Sequence, residues 1–371
     1  MTTKVRNNEN IRYIFDKVLA DESLAAAKKM YIFAPFIYGN WEELQGDQRI
    51  TDDMLGQYKN QYYLTAASNI MKLNAASEIF QIFQKENILA IPVKGISLIE
   101  TVYQNPGVRP MTDIDLIIRP EDIHNTKKVL ERIGYQLTNS YRGSHNFANK
   151  ESNIFLDLHS KFTRYAILFN IDYDEIYGRL HQINFNNQIQ IKVLCPEHQL
   201  IHIALHLAPG LYSDLNPLNI IDLYYLLTDQ RYPIDWEYLV EFSERTKTDS
   251  YIYSPLYLCV HLFRIEIPDQ VFSKIKKSLS HRKIIYIQNQ YLSEILKGGI
   301  EGQKIFIKRL LWAEGLLNKL KMLNTALFPD RKEIASEYHI PENSLRIYWL
   351  YTIRFWKLFK EITYRRFSEK S

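Results

Sequence analysis

Apolar positions change their period twice along the chain. Up to about residue 87 they recur every three or four residues. Ile70, Leu73, Ile79, Ile82 and Phe83 share a helical face, and Leu24-Ala25-Ala26-Ala27 is rich in helix formers. The run Ile88-Leu89-Ala90-Ile91-Pro92-Val93 then predicts a short strand. Lys94-Gly95 leads on into a helix carrying Ile96, Leu98, Ile99 and Val102. Past the turn-rich Asn105-Pro106-Gly107-Val108-Arg109-Pro110, the alternation in Thr112-Asp113-Ile114-Asp115-Leu116-Ile117-Ile118 predicts a second strand. Pro120-Glu121-Asp122 opens a helix that Gly134 is placed to end. Two strand-like stretches flank the polar turn Asn149-Lys150-Glu151-Ser152-Asn153, the second being Ile154-Phe155-Leu156-Asp157-Leu158-His159, and a further alternating strand covers residues 188–194. From Pro196 the helical period returns, broken near Pro209-Gly210, Pro233 and Phe328-Pro329-Asp330. The expected fold class is α+β: an N-terminal helical region over 1–75, a mixed α/β module over 76–195 and a helical C-terminal domain over 196–371.

Composition adds limits. The 371 residues are 46% hydrophobic and 24% charged, as in an ordinary globular protein. A net charge of +4 permits phosphate-bearing ligands but lacks the dense basic field of a dedicated nucleic-acid binder, so nucleic acid is not the favoured partner. Two cysteines, Cys195 and Cys259, cannot make a disulfide framework or a zinc-finger spacing. The first fifteen residues lack the apolar core of a signal peptide, and no stretch reaches the roughly 18–20 apolar residues of a membrane span. A cytoplasmic protein is expected.

Candidate chemistry lies in the acids. Period-two geometry sets Asp113 and Asp115 on one face of their strand and turns Ile114 and Leu116 to the core. Adjacent carboxylates repel unless something positive lies between them, and magnesium prefers carboxylate oxygen. Asp157, between Leu156 and Leu158, sits in a strand that could lie beside the first. Three such carboxylates can hold two metal ions about 3.5–4 Å apart and clamp an in-line displacement at phosphorus, with Asp157 nearest the acceptor hydroxyl. Upstream, Gly95 lets backbone approach a phosphate, Ser97 offers a hydroxyl, and Lys94 and Arg109 could supply counter-charge to a triphosphate.

This ordered set of strand, glycine, helix, Asp-x-Asp strand, helix and strand with a third aspartate resembles the DNA polymerase β-like nucleotidyltransferase superfamily. More narrowly it is similar to a bacterial family of uncharacterised nucleotidyltransferases. The matching segments are Val93-Lys94-Gly95, Pro106 through Leu116, Gly134-Tyr135 and Leu156-Asp157-Leu158-His159. Pro196-Glu197-His198, Leu205-His206, Ile221-Asp222-Leu223, Asp235-Trp236 and Leu327-Phe328-Pro329 follow. The resemblance implies a small mixed sheet with helices, flanked by N-terminal helices and a helical C-terminal domain. It implies an NTP co-substrate, two magnesium ions at Asp113, Asp115 and Asp157, and phosphate contacts at Lys94, Gly95, Ser97 and Arg109. The product would be a nucleoside monophosphate joined to a hydroxyl or phosphate of an acceptor, such as a peptide or saccharide in a tailoring pathway. The chain departs from the superfamily in carrying Lys94-Gly95-Ile96 where Gly-Gly or Gly-Ser is usual. Two rivals are a sugar-nucleotide glycosyltransferase using Asp113-x-Asp115, and a non-catalytic binding protein. The first makes the glycine junction and Asp157 unnecessary, and the second is opposed by three intact aspartates.

Other residues have blander expectations. His198, His202 and His206 fall on one helical face and suit packing or hydrogen bonding, with His206 the candidate for lining an acceptor cleft. His159 should share the face of Asp157, and Asp222 suits helix stabilisation. Arg142, Lys161 and Arg164 suit solvated charges. The aromatic and basic stretch 345–367 suits an amphipathic helix packed on the body.

Overall fold

The computed structural model describes residues 29–44, 49–141, 143–163, 166–210, 217–288, 315–331, 334–335, 338 and 340–356. Residues 24–27, Arg142, Arg164 and positions 357–367 of the aromatic, basic stretch lie outside them.

A five-stranded mixed sheet runs in the order β1-β2-β5-β4-β3. Its strands are β1 (Ala90–Val93), β2 (Ile114–Ile118), β3 (Gln136–Tyr141), β4 (Ser144–Asn149) and β5 (Ile154–His159). β2 pairs antiparallel with β1 and parallel with β5, while β4 is antiparallel to both β5 and β3. One sheet face is apolar throughout: Ile114, Leu116, Ile118, Phe147, Leu156 and Leu158 share a core with Leu73, Ala76, Ile79, Phe80 and Phe83. The last five come from a long helix. Labelling the short helix Ala34–Gly39 as α1, this is α2 (Asp52–Lys85). Its start is capped by Thr51, whose hydroxyl accepts from the Met54 N–H at 3.2 Å, and Asp52 and Asp53 favour its positive end. α2 passes through position 75 without a break, because its C-terminal half is what covers the sheet.

The opposite face carries Ile91, Val93 and Ile117 into a second core shared with the helices beyond residue 196. Here α3 (Gly95–Leu98) follows β1, and α4 (Ile123–Arg132) leads to Gly134, whose φ of +89° ends the helical path. Then come α5 (Pro196–Gly210), α6 (Pro217–Thr228), α7 (Trp236–Thr246), α8 (Asp249–Phe263) and α9 (Asp269–Ser278). The expected strand at 188–194 is β7 (Ile189–Val193), and it forms a hairpin with β6 (His181–Phe185) through Asn186 and Asn187, both at positive φ. β3 and β6 were not foreseen. Their sequences, QLTNSY and HQINF, carry too few apolar positions to show alternation. The mixed α+β architecture is the expected one. Among the described residues no helix is long and apolar enough to cross a membrane.

One ion pair fastens the two cores together. Arg109, on the loop before β2, donates from Nε and Nη2 to Asp222 of α6 at 2.9 and 2.8 Å, and the Tyr103 hydroxyl donates to the same carboxylate at 2.7 Å. All three groups are buried. The Arg109 loop is itself held by Asn69 of α2, whose amide donates to the carbonyls of Pro106 and Arg109, both at 2.7 Å.

A buried charge left without its partner is costly. Asp222→Ala should therefore lower unfolding free energy by roughly 3–5 kcal/mol in urea titrations, and replacing both Arg109 and Asp222 with apolar residues should recover much of that loss.

Candidate active site

In the register of the sheet, Asp115 of β2 lies directly opposite Asp157 of β5. Both side chains emerge on the face that looks toward the helices, since their neighbours Ile114, Leu116, Leu156 and Leu158 point to the other core. Asp115 is 5% exposed, and Asp157 is partly open. Two carboxylates this close need compensation, and three side chains provide it. Lys94 forms an ion pair with Asp115 Oδ1. His159, two residues after Asp157 and on the same face, brings Nε2 to 2.9 Å from Asp115 Oδ1 and 3.3 Å from Asp157 Oδ2. Ser144 donates its hydroxyl to Asp157 Oδ1 at 2.5 Å. Burial alone would raise the Asp115 pKa, yet the Lys94 charge and the His159 hydrogen bond outweigh it and hold the carboxyl below its ordinary value. Burial likewise pulls Lys94 down, but Asp115 more than restores it, so the ammonium stays charged.

Asp113 stands apart. It precedes β2, is half-buried, and accepts a 2.8 Å hydrogen bond from Thr112. Burial and the Asp115 charge push its carboxyl above the usual range. The group whose ligand atoms all lie within 4.8 Å of one another is Asp115, Asp157 and His159 among the described residues. Asp113 is outside that group because the chain has not yet joined the sheet at this position, so the period-two argument reaches Asp115 and not Asp113. Two carboxylates and an imidazole are donors of the kind that suits a hard or borderline divalent cation.

Residues 16–264 match the family described as uncharacterised nucleotidyltransferases. The chain belongs to that family. It is thus an enzyme of the nucleotidyltransferase class. The solved structures it resembles include the antibiotic-resistance factor ANT(2'')-Ia, at 10% identity and TM-score 0.29 over 61% of this chain and 93% of that one. Another is an antigenic nucleotidyltransferase-like protein from Paracoccidioides brasiliensis, at 13% identity and TM-score 0.30 over 63% and 96%. No curated protein matches the chain.

The glycine junction of this nucleotidyltransferase differs from the sequence expectation in three respects. Lys94 itself, not the glycine, takes the unusual backbone, at φ +54° and ψ −134°. A side chain there is strained, and the strain coincides with its contact to Asp115. Gly95 makes room for Arg109: a Cβ at Gly95 would come within 2.3 Å of Arg109 Nη1, which donates to the Pro110 carbonyl at 3.1 Å while Nε and Nη2 of the same guanidinium are held by Asp222. Arg109 spends its charge inside the fold, and Ser97 is 1% exposed with no hydrogen-bond partner for its hydroxyl among the described residues. Neither presents a free group to the acidic cluster. Of the expected phosphate contacts, Lys94 alone touches it.

The three histidines of α5 separate. His198 Nε2 meets the Tyr238 hydroxyl at 2.8 Å, and that hydroxyl donates onward to Glu175 at 3.0 Å. His202 is buried against Phe162 and stacked near His206, with neither ring nitrogen bonded among the described residues. His206 donates from Nδ1 to the His202 carbonyl at 2.8 Å and reaches the rim of a cavity beside Asp157. Lys161, expected to be a solvated charge, is exposed and also lines that cavity.

Two outcomes follow. Lys94→Ala and Lys94→Gly both remove the ammonium and differ only in backbone freedom. The glycine variant should be the more stable by about 1–2 kcal/mol in thermal or urea unfolding, reversing the usual order of the two residues. Burial lowers the His198 pKa to about 4 from 6.5. The unfolded chain therefore binds the proton first, so stability is complete above pH 6.5 and falls as pH drops toward 4. His198→Gln should flatten the dependence of the urea midpoint across that window.

Proposed function

We propose that this nucleotidyltransferase is metal-dependent, takes an NTP, and joins its nucleoside monophosphate to an acceptor oxygen with release of pyrophosphate. The observation that carries the reading is the direct opposition of Asp115 and Asp157 across parallel strands, with the Lys94 ammonium against Asp115 and both Lys94 and Asp157 lining an open cavity. Asp115 and Asp157 would hold magnesium, with His159 against both carboxylates and Asp113 at the edge. Held there, a divalent ion would supply positive charge to the phosphates at the reacting centre.

The remaining work falls to the chain itself. The acceptor oxygen forms a bond to the α-phosphorus while the bond to the β-phosphate bridging oxygen breaks, its electron pair leaving with pyrophosphate. Asp157 is the cluster carboxylate that also lines the cavity, so it is the one positioned to take the acceptor proton. Ser144 fixes one Asp157 oxygen and leaves the other toward His159. Lys94 supplies positive charge to the phosphates beside Asp115, and buried Arg109 sets the position of the Gly95 backbone behind it.

The test is mass spectrometry of cell-extract components incubated with the enzyme, magnesium and each NTP in turn. The expected result is a mass gain of one nucleoside monophosphate, abolished by EDTA and reduced about 10³-fold or more by Asp157→Asn, the scale of losing one member of a catalytic unit. A gain of a hexose or of bare phosphate would sink the reading.

A further inference from the structure

The site face of the sheet carries a continuous polar row. Asp115 is registered with Asp157, Asp157 with Asn146 of β4, and Asn146 with Asn139 of β3. Directly registered residues project to the same face, so these four side chains form a track about 14 Å long at roughly 4.8 Å per strand. It begins in paired carboxylates and ends in two carboxamides. The cavity of about 260 Å³ lies over the track from Asp157 to Asn139, with Lys94, His159, Lys161, Thr163 and His206 also on its wall. That size admits one small ring or short chain.

His206 sets the chemistry of the cavity. A carbonyl can only accept, so the bond to the His202 carbonyl fixes the proton on Nδ1 and leaves Nε2 as a lone pair. Among the described residues nothing bonds Nε2, and it is not among the sealed, unpartnered polar atoms, so the lone pair opens on the cavity. Burial, then the Lys94 charge, lower the His206 pKa to about 3, which keeps the ring an acceptor at any ordinary pH. A group entering here meets lone pairs at His206 and Asp157, carboxamides that both donate and accept at Asn146 and Asn139, and the ammoniums of Lys94 and Lys161. Lys94 is paired with Asp115 and Lys161 is exposed, so a phosphate monoester would find positive charge here, yet it brings no proton for His206 and is repelled by Asp157. Hydroxyls on neighbouring carbons satisfy the whole set, donating to His206 and Asp157 and accepting from the carboxamides and ammoniums.

We propose that this cavity is the acceptor subsite and takes a neutral polyhydroxylated group, a sugar or polyol, with His206 accepting a hydrogen bond from one of its hydroxyls. The proposal rests on the nucleotidyl-transfer reading above. The bond made is then a phosphodiester from a sugar hydroxyl to the nucleoside monophosphate, with pyrophosphate leaving and the hydroxyl proton passing to Asp157.

The full-length enzyme is given magnesium, α-³³P-labelled NTPs and defined probes: neutral hexoses and glycerol, inorganic phosphate and sugar phosphates, and a serine-containing tripeptide. The expected result is label on the neutral sugar or polyol, with ³¹P NMR showing a phosphodiester. His206→Leu should raise KM for that probe roughly tenfold, the scale of one lost hydrogen bond, and leave KM for NTP unchanged. His206→Gln, which keeps an acceptor near the position of Nε2, should recover most of the loss. Label on a phosphate oxygen or on the peptide overturns the proposal. So does label that appears on extract components but on no neutral probe, and so does an unchanged sugar KM in His206→Leu. Absence of label from extract and probes alike removes the nucleotidyl-transfer reading itself. Retained NTP binding in His206→Leu distinguishes a lost acceptor contact from a lost fold.

Discussion

Two carboxylates opposed across adjacent strands, one of them almost sealed from water, form an arrangement the rest of the fold has to neutralise. Asp115 cannot shed its charge into solvent, so charge and hydrogen-bond donors come to it. Lys94 reaches it from the end of β1 in a backbone conformation normally left to glycine, and His159 reaches it from the end of β5. Ser144 does the same for Asp157 from β4. Each compensating group sits on a strand next to, or two residues from, the acid it serves. Compensation is therefore built by sheet register and not by mobile surface side chains. A site made this way has its polar groups oriented before any ligand arrives, which lowers the reorganisation that binding would require.

Behind the acids lies a second layer of constraint. The helices beyond residue 196 do not merely cover the sheet. Through Asp222 they grip Arg109, and Arg109 fills the space that a side chain on Gly95 would need. Asn69 pins the same loop from α2. A helix at the front of the chain, a loop in its middle and a helix near residue 222 thus converge behind one junction. Disturbance of any of the three should be felt at Lys94, although none of them touches the carboxylates.

Much of this was legible in the sequence wherever the signal was local. The alternation Ile-Asp-Leu-Ile-Ile and the run Ile-Phe-Leu-Asp-Leu-His predicted the two strands that carry Asp115 and Asp157, because a half-buried strand writes its period directly into its residues. Gly134 and the acidic turn Pro120–Asp122 that leads into α4 were readable because their signals are equally local. Asp113 falls just before β2, because the pattern does not say at which residue pairing begins. Arg109 was read as a ligand contact because its partner lies 113 residues away, a distance no spacing rule spans. The strain at Lys94 left no trace in composition: lysine is an ordinary residue, and only the backbone angle sets it apart. Asn139 was overlooked because β3 carries a register shift and too little apolar character to announce itself, and Asn146 on β4 gains its meaning only from the pairing of β4 with Asp157 of β5.

The hairpin joining β4 to β5 has a consequence for how this gene can change. Its short turn, with Asn153 at positive φ, sets which residue of β5 stands beside Asp115 and Asn146. A shift of one position would turn Asp157 and His159 into the apolar core and bring Leu156 and Leu158 out in their place. Descendants of this sequence can therefore lengthen or shorten other surface loops with little penalty, whereas single-residue insertions or deletions in this turn should be all but missing from them.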